Sequence, residues 1–258
     1  MFLLYGLWDQ WWHGLYGFDA VIDSPPHIGL LLSITLSIIG TVMVFAAARE
    51  HRWGTQGVFG TLGVLIAFST VTVLGLEQIE TDVVNVISVG VAFLSVLLVS
   101  AGAGFWRRPG GALWVAGSLA VIQAITWWFS PWAAEAYAGA VGLPMRDYID
   151  GVPAMPALMP MALLPIAAVL EALYLLSRRG WSTGRISVLA GVIGGFLVGA
   201  SMPIQNTLVY GGDAVDWAVV FATGAAGAVF GLLGGFAGWR FGGMLRLLAP
   251  AKEDNAHA

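Results

Sequence analysis

The sequence predicts an all-α integral membrane protein, a bundle of seven transmembrane helices with an N-terminal interfacial helix, and three observations carry that prediction. Hydrophobic residues make up 58% of the 258-residue chain and charged ones only 10%, where a soluble domain carries about 25% charged residues. Seven segments, at 27–48, 57–76, 83–104, 111–130, 156–177, 186–208 and 216–240, each supply the roughly 20 mostly apolar residues of a bilayer crossing. The loops between them alternate in charge: ten of the eleven basic residues follow the first, third, fifth and seventh spans, and Arg146 is the exception.

That alternation sets an orientation. Arg49, Arg52, Arg107, Arg108, Arg178, Arg179, Arg185, Arg240, Arg246 and Lys252 share one side, which the positive-inside rule makes cytoplasmic. The opposite loops hold Glu77, Glu80, Asp82, Glu135, Asp147, Asp150, Asp213 and Asp216. The chain is therefore expected in a bacterial inner (plasma) membrane with its N-terminus outside and its C-terminus cytoplasmic. It reads as a single transmembrane domain: an outer-face interfacial helix and turn over 1–24, the seven-span bundle over 25–240, and a cytoplasmic tail over 241–258. The N-terminus MFLLYGLWDQWW has no basic region and the first Arg stands at 49, so no cleavable signal peptide is expected.

Residues 1–20 are apolar in places, yet an eighth span there would place Asp9 and His13 at membrane depth, where ionisable groups are costly. Tyr5, Trp8, Trp11, Trp12 and Tyr16 fit an aromatic belt on a helix lying in the outer interface. Ser24-Pro25-Pro26-His27 then reads as the start of the first span: Ser at the N-cap, Pro at N1 where a missing N–H costs nothing, and His27 in the first turn.

The segment 131–155 is expected as the longest outer loop, able to lid the N-terminal region. Met145, Met155, Met159, Met161 and Met202 fall at or near the outer face; thioethers suit Cu(I) and equally serve as apolar filler. Glycines recur every four residues in the last two spans, at Gly191, Gly195 and Gly199 and at Gly227, Gly231 and Gly235. Such ridges let helices approach closely, either within the chain or at a homo-oligomer seam. Gln123, Gln205 and Asn206 are expected as interhelical hydrogen-bond partners, Glu171 as a snorkelling or Arg178-paired group, and His51 as a solvated loop residue.

Absences narrow the function. Cysteine is missing, which excludes disulfides, thiolate metal sites and covalently attached c-type haem. The only lysine, Lys252, follows the last span, so no Schiff-base retinal is expected. Walker loops, HExxH motifs and nucleotide-binding glycine fingerprints are absent, and no nucleic-acid partner is expected.

What remains is a metal reading. Asp9 and His13 stand four apart, one helical turn on the same face, and a sharp turn before Ser24 brings His27 to the same membrane surface. Two imidazoles and one carboxylate can hold a divalent metal and leave positions open; alternatively Asp9 only orients His13, or both histidines are interfacial anchors. Asp19 and Asp23 are further possible ligands. Copper is the first choice of metal, zinc or iron the second.

At Asp9, His13 and His27 the sequence resembles the copper-site pattern of the C subunit of copper-dependent membrane monooxygenases, the methane and ammonia monooxygenase family. The resemblance covers about a tenth of the chain and implies a copper-binding oxidoreductase subunit in which these three residues are ligands. In that family the set lies within the bundle, whereas here it precedes the first counted span. The DxWWHxxxG…SPPH layout also looks like a pattern in uncharacterised multipass bacterial membrane proteins. The expected function is thus a metal-binding, monooxygenase-like membrane subunit. Two alternatives stay open: a metal-handling or transport protein, and a non-catalytic structural subunit of a membrane complex. The expected partners are the lipid bilayer and either further copies of the chain or partner membrane subunits.

Overall fold

A computed structural model gives the fold and describes residues 1–17, 24–79, 81–145, 152–176, 180–212 and 214–248. Asp19, Asp23, Glu80, Arg146, Asp147, Asp150, Arg178, Arg179, Asp213 and the tail with Lys252 and His257 lie outside the described residues. Helices follow one another without a strand among the described residues: α1 (Phe2–Tyr16), α2 (Pro25–Ala47), α3 (Arg52–Thr72) prolonged by a 3-10 turn (Val73–Leu76), α4 (Val86–Trp106), α5 (Gly111–Val141), α6 (Ala154–Leu158), α7 (Leu163–Leu176), α8 (Thr183–Tyr210) and α9 (Trp217–Leu245), closed by a 3-10 turn (Arg246–Leu248).

Seven of these units are long and apolar enough to cross a bilayer, with α6 and α7 together forming one of them. The chain is an integral membrane protein. At about 1.5 Å per residue the 15 residues of α1 reach roughly 22 Å, short of the ~30 Å hydrocarbon core, and none of them is buried.

Burial orders the bundle. Two-thirds of the α4 span is buried inside the protein and under a fifth of the α2 span, so α4 is central and α2 peripheral. The glycine ridges explain how α4 and its neighbours meet. A side chain at Gly195 would run into the Gly227 carbonyl, one at Gly231 into the Gly191 carbonyl, and one at Gly235 into that of Ser187. A second row on α9 faces α4: Gly234 meets Phe93, Gly238 meets Leu97 and Gly242 meets Ala101, each at a backbone carbonyl. Both rows are used inside the chain, which decides the first of the two expectations for α8 and α9.

Caps fix the entries of two spans. Asn85 Oδ1 accepts from the Ser88 N–H at 2.9 Å, and Asp216 Oδ1 accepts from Ala218 and Val219 N–H at 2.9 and 3.2 Å. Asn85 thus occupies one and Asp216 two of the orphan donors of a helix start. The Asn85 N–H donates in turn to Thr223 Oγ1 at 3.0 Å, tying the start of α4 to α9.

The fifth span is broken between α6 and α7. A break at membrane depth frees backbone groups that lipid cannot satisfy, and two glutamines from neighbouring helices take them. Gln123 Nε2 donates to the Pro156 and Met159 carbonyls, both at 3.1 Å. Gln205 Nε2 donates to Ala157 and Met159 carbonyls at 2.7 and 2.9 Å, while its Oε1 accepts from Met161 N–H at 2.8 Å. These are the interhelical partners expected from the sequence, with the backbone as their target.

Three expectations change. The first part of the expected outer loop is helix, because α5 runs through Pro131 to Val141; a proline removes one hydrogen bond, and a membrane helix tolerates that loss. The middle of the loop, 146–151, lies outside the described residues. Met159 and Met202 are 0% and 2% exposed, within the apolar core, so the five outer methionines do not form one accessible row. Glu171 lies buried, and its Oε2 accepts from the Ala112 N–H at 3.0 Å, capping the start of α5 from α7.

Two predictions follow from this packing. Gly195→Leu forces α8 and α9 apart and lowers stability by about 1–3 kcal/mol or more, seen as a depressed midpoint of unfolding in detergent. Gly117→Leu, at a site with no neighbour within 4 Å of the added carbon, leaves the midpoint unchanged. Gln205→Leu strands two backbone groups, the Ala157 carbonyl and the Met161 N–H, while Gln123 still serves the Met159 carbonyl, and costs about 1–2 kcal/mol by the same measurement.

Candidate metal centre

α1 ends at Gly17, whose φ of 81° suits a residue without a side chain. Its N–H donates to the His13 carbonyl at 2.9 Å. α2 begins at Ser24 with extended φ and ψ of −62° and 146°, followed by prolines at N1 and N2. The Ser24 side chain makes no capping bond, as expected where the two prolines have removed the donors nearest to it.

Between these ends α1 folds back against α2. The approach is close: a Cβ added to Gly29 would enter the Tyr5 ring. One turn further along α1, Asp9 faces His27, and a second turn brings His13 to the same place.

The three side chains converge. His27 Nε2 lies 3.1 Å from Asp9 Oδ1, and His13 Nε2 lies 3.5 Å from Asp9 Oδ2. The two imidazole rings are 5.5 Å apart at their centroids and inclined by 56°. One donor atom from each residue falls within 4.8 Å of the others. Metal bonds to nitrogen and oxygen are about 2.0–2.2 Å long, so ligand atoms on one ion stand at most about 4 Å apart. The set closes on an ion with shifts of roughly an ångström.

His13 is oriented from its other side. Its Nδ1 lies 3.0 Å from the Gly17 carbonyl, and a carbonyl only accepts, so Nδ1 carries the proton. The tautomer is therefore set by the turn that ends α1, with Nε2 turned towards the Asp9 carboxylate. A backbone carbonyl on the far nitrogen is the usual partner of a metal-binding histidine. The Gly17 carbonyl thus orients His13 on one ring nitrogen and Asp9 faces the other, so the reading in which Asp9 orients His13 stays open beside the metal reading.

Asp9 Oδ1 adds a further constraint. It is shut off from solvent and accepts no hydrogen bond, although His27 Nε2 is 3.1 Å away. Distance and alignment differ here: a ring N–H points along the ring's in-plane bisector, and Oδ1 sits off that line. The three residues are partly exposed, with side chains between 19% and 28% accessible, so the cluster opens to the surroundings of α1.

Those surroundings are aromatic and apolar. Trp8, Trp11, Leu15 and Tyr16 are exposed around the cluster, and Trp12 lies against Tyr16 with ring centroids 4.5 Å apart. His51 sits elsewhere, exposed at the start of α3 and stacked on Trp53 at 5.5 Å.

Sequence reasoning found the three side chains and, in the DxWWHxxxG layout, Gly17 without its role, and missed Gly29. Gly17 stands four residues after His13 and Gly29 two after His27, spacings that signal close approach only when the fold-back is known. No protein-family model, curated protein or solved structure matches the chain.

Proposed function

We propose that this protein is a multipass membrane metal-binding protein in which Asp9, His13 and His27 hold one transition-metal ion, copper in the first place and zinc or iron in the second. The single observation that carries the reading is the His13 geometry: with Nδ1 bonded to the Gly17 carbonyl, Nε2 faces a carboxylate oxygen at 3.5 Å. A neutral His13 in this tautomer turns a lone pair towards the carboxylate, an arrangement that a shared cation, a metal ion or a second proton, relieves. His27 Nε2 joins the same point from α2.

Three protein ligands leave coordination positions open. A copper ion so held supplies redox chemistry beside the exposed tryptophans of α1, where apolar molecules dissolved in the bilayer arrive. The chain's own groups hold and orient: the turn at Gly17 fixes one ligand, the start of α2 the second, and the fold-back of α1 aligns the third. This is the monooxygenase-like role that the resemblance implies. The charge alternation supports placing the site at the outer face of a bacterial inner membrane, because the arginine-bearing loops retain the cytoplasmic side.

Metal content by mass spectrometry on copper-loaded, detergent-purified protein tests the proposal. Wild type is expected to keep about one ion per chain, and His13→Ala and His27→Ala to lose affinity by tenfold or more while remaining folded. Copper in the wild type should give an electron paramagnetic resonance spectrum with nitrogen hyperfine splitting. Wild type that retains no more metal than His13→Ala overturns the reading and leaves the cluster as a protonated histidine–carboxylate group.

Gly29→Val alters no ligand but pushes Tyr5 and α1 away from α2. The expected result is metal affinity reduced roughly tenfold, within the range for residues that position ligands, with an unchanged unfolding midpoint of the bundle.

A further inference from the structure

A cleft of ≈ 770 Å³ opens at the arginine-bearing end of the bundle, away from the Asp9 cluster, between the α2–α3 turn, the end of α4, the start of α5 and the closing 3-10 turn. Four guanidinium groups line it, those of Arg49, Arg52, Arg108 and Arg246, against one carboxylate, Glu50. Among the described residues no arginine has a carboxylate within ion-pair distance; the two ion-pair contacts are those of Asp9. Four like charges gathered against a single carboxylate that pairs with none of them repel one another, and the arrangement calls for an anion from outside the chain.

The individual groups are held in place. Arg246 donates through Nη1 to the Phe105 and Trp106 carbonyls at 3.0 and 3.4 Å, which binds it to the end of α4. The Arg108 guanidinium lies over the Trp106 ring, 5.4 Å from its centroid. A stacked guanidinium keeps its N–H groups free at the edges, the geometry that meets phosphate oxygens. The Arg49 Nε is closed off from solvent and makes no hydrogen bond.

The other wall is apolar and runs into the lipid-facing surface. Phe59 stacks on Trp114 at 6.4 Å and meets Trp106 edge-on at 5.8 Å, and Trp114 is 62% exposed on the outward side of α5. One end of the cleft therefore suits a charged phosphate and the other a hydrocarbon chain. A free phosphate uses only the first.

We infer that this cleft is a binding site for an anionic phospholipid, its phosphate held among Arg52, Arg108 and Arg246 and an acyl chain laid along Phe59 and Trp114. Basic pockets between transmembrane helices bind phospholipid headgroups in this manner. The site is independent of the metal reading.

Native mass spectrometry of the full chain in detergent, titrated separately with phosphatidylglycerol, phosphatidylcholine and inorganic phosphate, tests it. Phosphatidylglycerol is expected to bind at least tenfold more tightly than phosphatidylcholine, and Arg52→Gln combined with Arg108→Gln to remove that preference. Both residues are exposed, so the variant should fold, and Arg52→Lys with Arg108→Lys should recover most of the affinity. The control pair Arg185→Gln and Arg240→Gln, exposed and outside the cleft, should bind as wild type does. Equal binding of the two lipids overturns the inference, as does a control pair that loses as much as the cleft pair. Inorganic phosphate that binds as tightly as phosphatidylglycerol and displaces it also overturns it, in favour of a free-anion site.

Discussion

The bundle depends on backbone meeting backbone along α9. In a bilayer, apolar side chains gain nothing from leaving lipid for protein, so helices associate through close dispersion contact and a few hydrogen bonds. Glycine makes that contact as short as it can be. On α9 the glycines form two adjacent rows with a four-residue repeat, 227/231/235 and 234/238/242, the second offset from the first by seven residues. One row receives the carbonyls of α8 and the other those of α4. The three helices thus form a single close-packed unit, and the other spans are arranged round it. Any side chain larger than hydrogen on either row opens a gap that lipid is too large to fill and dispersion too short-ranged to bridge.

The same device recurs at the edge of the protein, where it serves the candidate site instead of the bundle. α1 has no buried residue and rests on α2, a span itself mostly uncovered. What brings the helix near is Gly29, whose bare backbone accepts the Tyr5 ring. Asp9 and His13 belong to α1 and His27 to the first turn of α2, so the position of three candidate ligands rests on one interhelical approach. A site built this way is open on the side away from the bundle, and it is accessible without a pathway through the protein. The break between α6 and α7 fits that division of labour: its freed backbone groups are taken by Gln123 and Gln205, which makes it a packing feature.

Much of this was legible in the residues because the bilayer imposes simple rules. Span number follows from hydrophobic length, and the structure places each crossing within a few residues of where composition puts it, except at α5. There Pro131 and the small and glycine residues after it read as a loop, but a proline late in a membrane helix costs little once the turns around it are intact. The glycine ridges were visible as a spacing; which helix each row would meet was not, since a period of four fixes a face and not a partner. Asp9, His13 and His27 were legible as chemistry, two imidazoles and a carboxylate among tryptophans. Their convergence was expected from a sharp turn before Ser24; what the sequence did not show is the close approach of α1 to α2 at Gly29 that accompanies it. Glu171 shows a related gap: the expected partner Arg178 lies outside the described residues, and the orphan donor that Glu171 meets is the Ala112 N–H on another helix, far away in sequence.

Electrostatics then decides what the convergence asks for. A carboxylate beside apolar and aromatic surfaces is stable only when each oxygen is compensated. Asp9 Oδ2 faces a nitrogen of His13 whose proton is already committed to the opposite nitrogen by the Gly17 carbonyl, and Oδ1 accepts no hydrogen bond despite His27 Nε2 at contact distance. A second proton on His13 would satisfy Oδ2 alone, because a proton is directional and serves one acceptor well. A metal ion would be shared: held by Asp9, His13 and His27, it would compensate the carboxylate without requiring either oxygen to lie on an N–H axis. Contact distance without hydrogen-bond alignment fits such a shared centre, and that is the physical consideration behind the metal proposal.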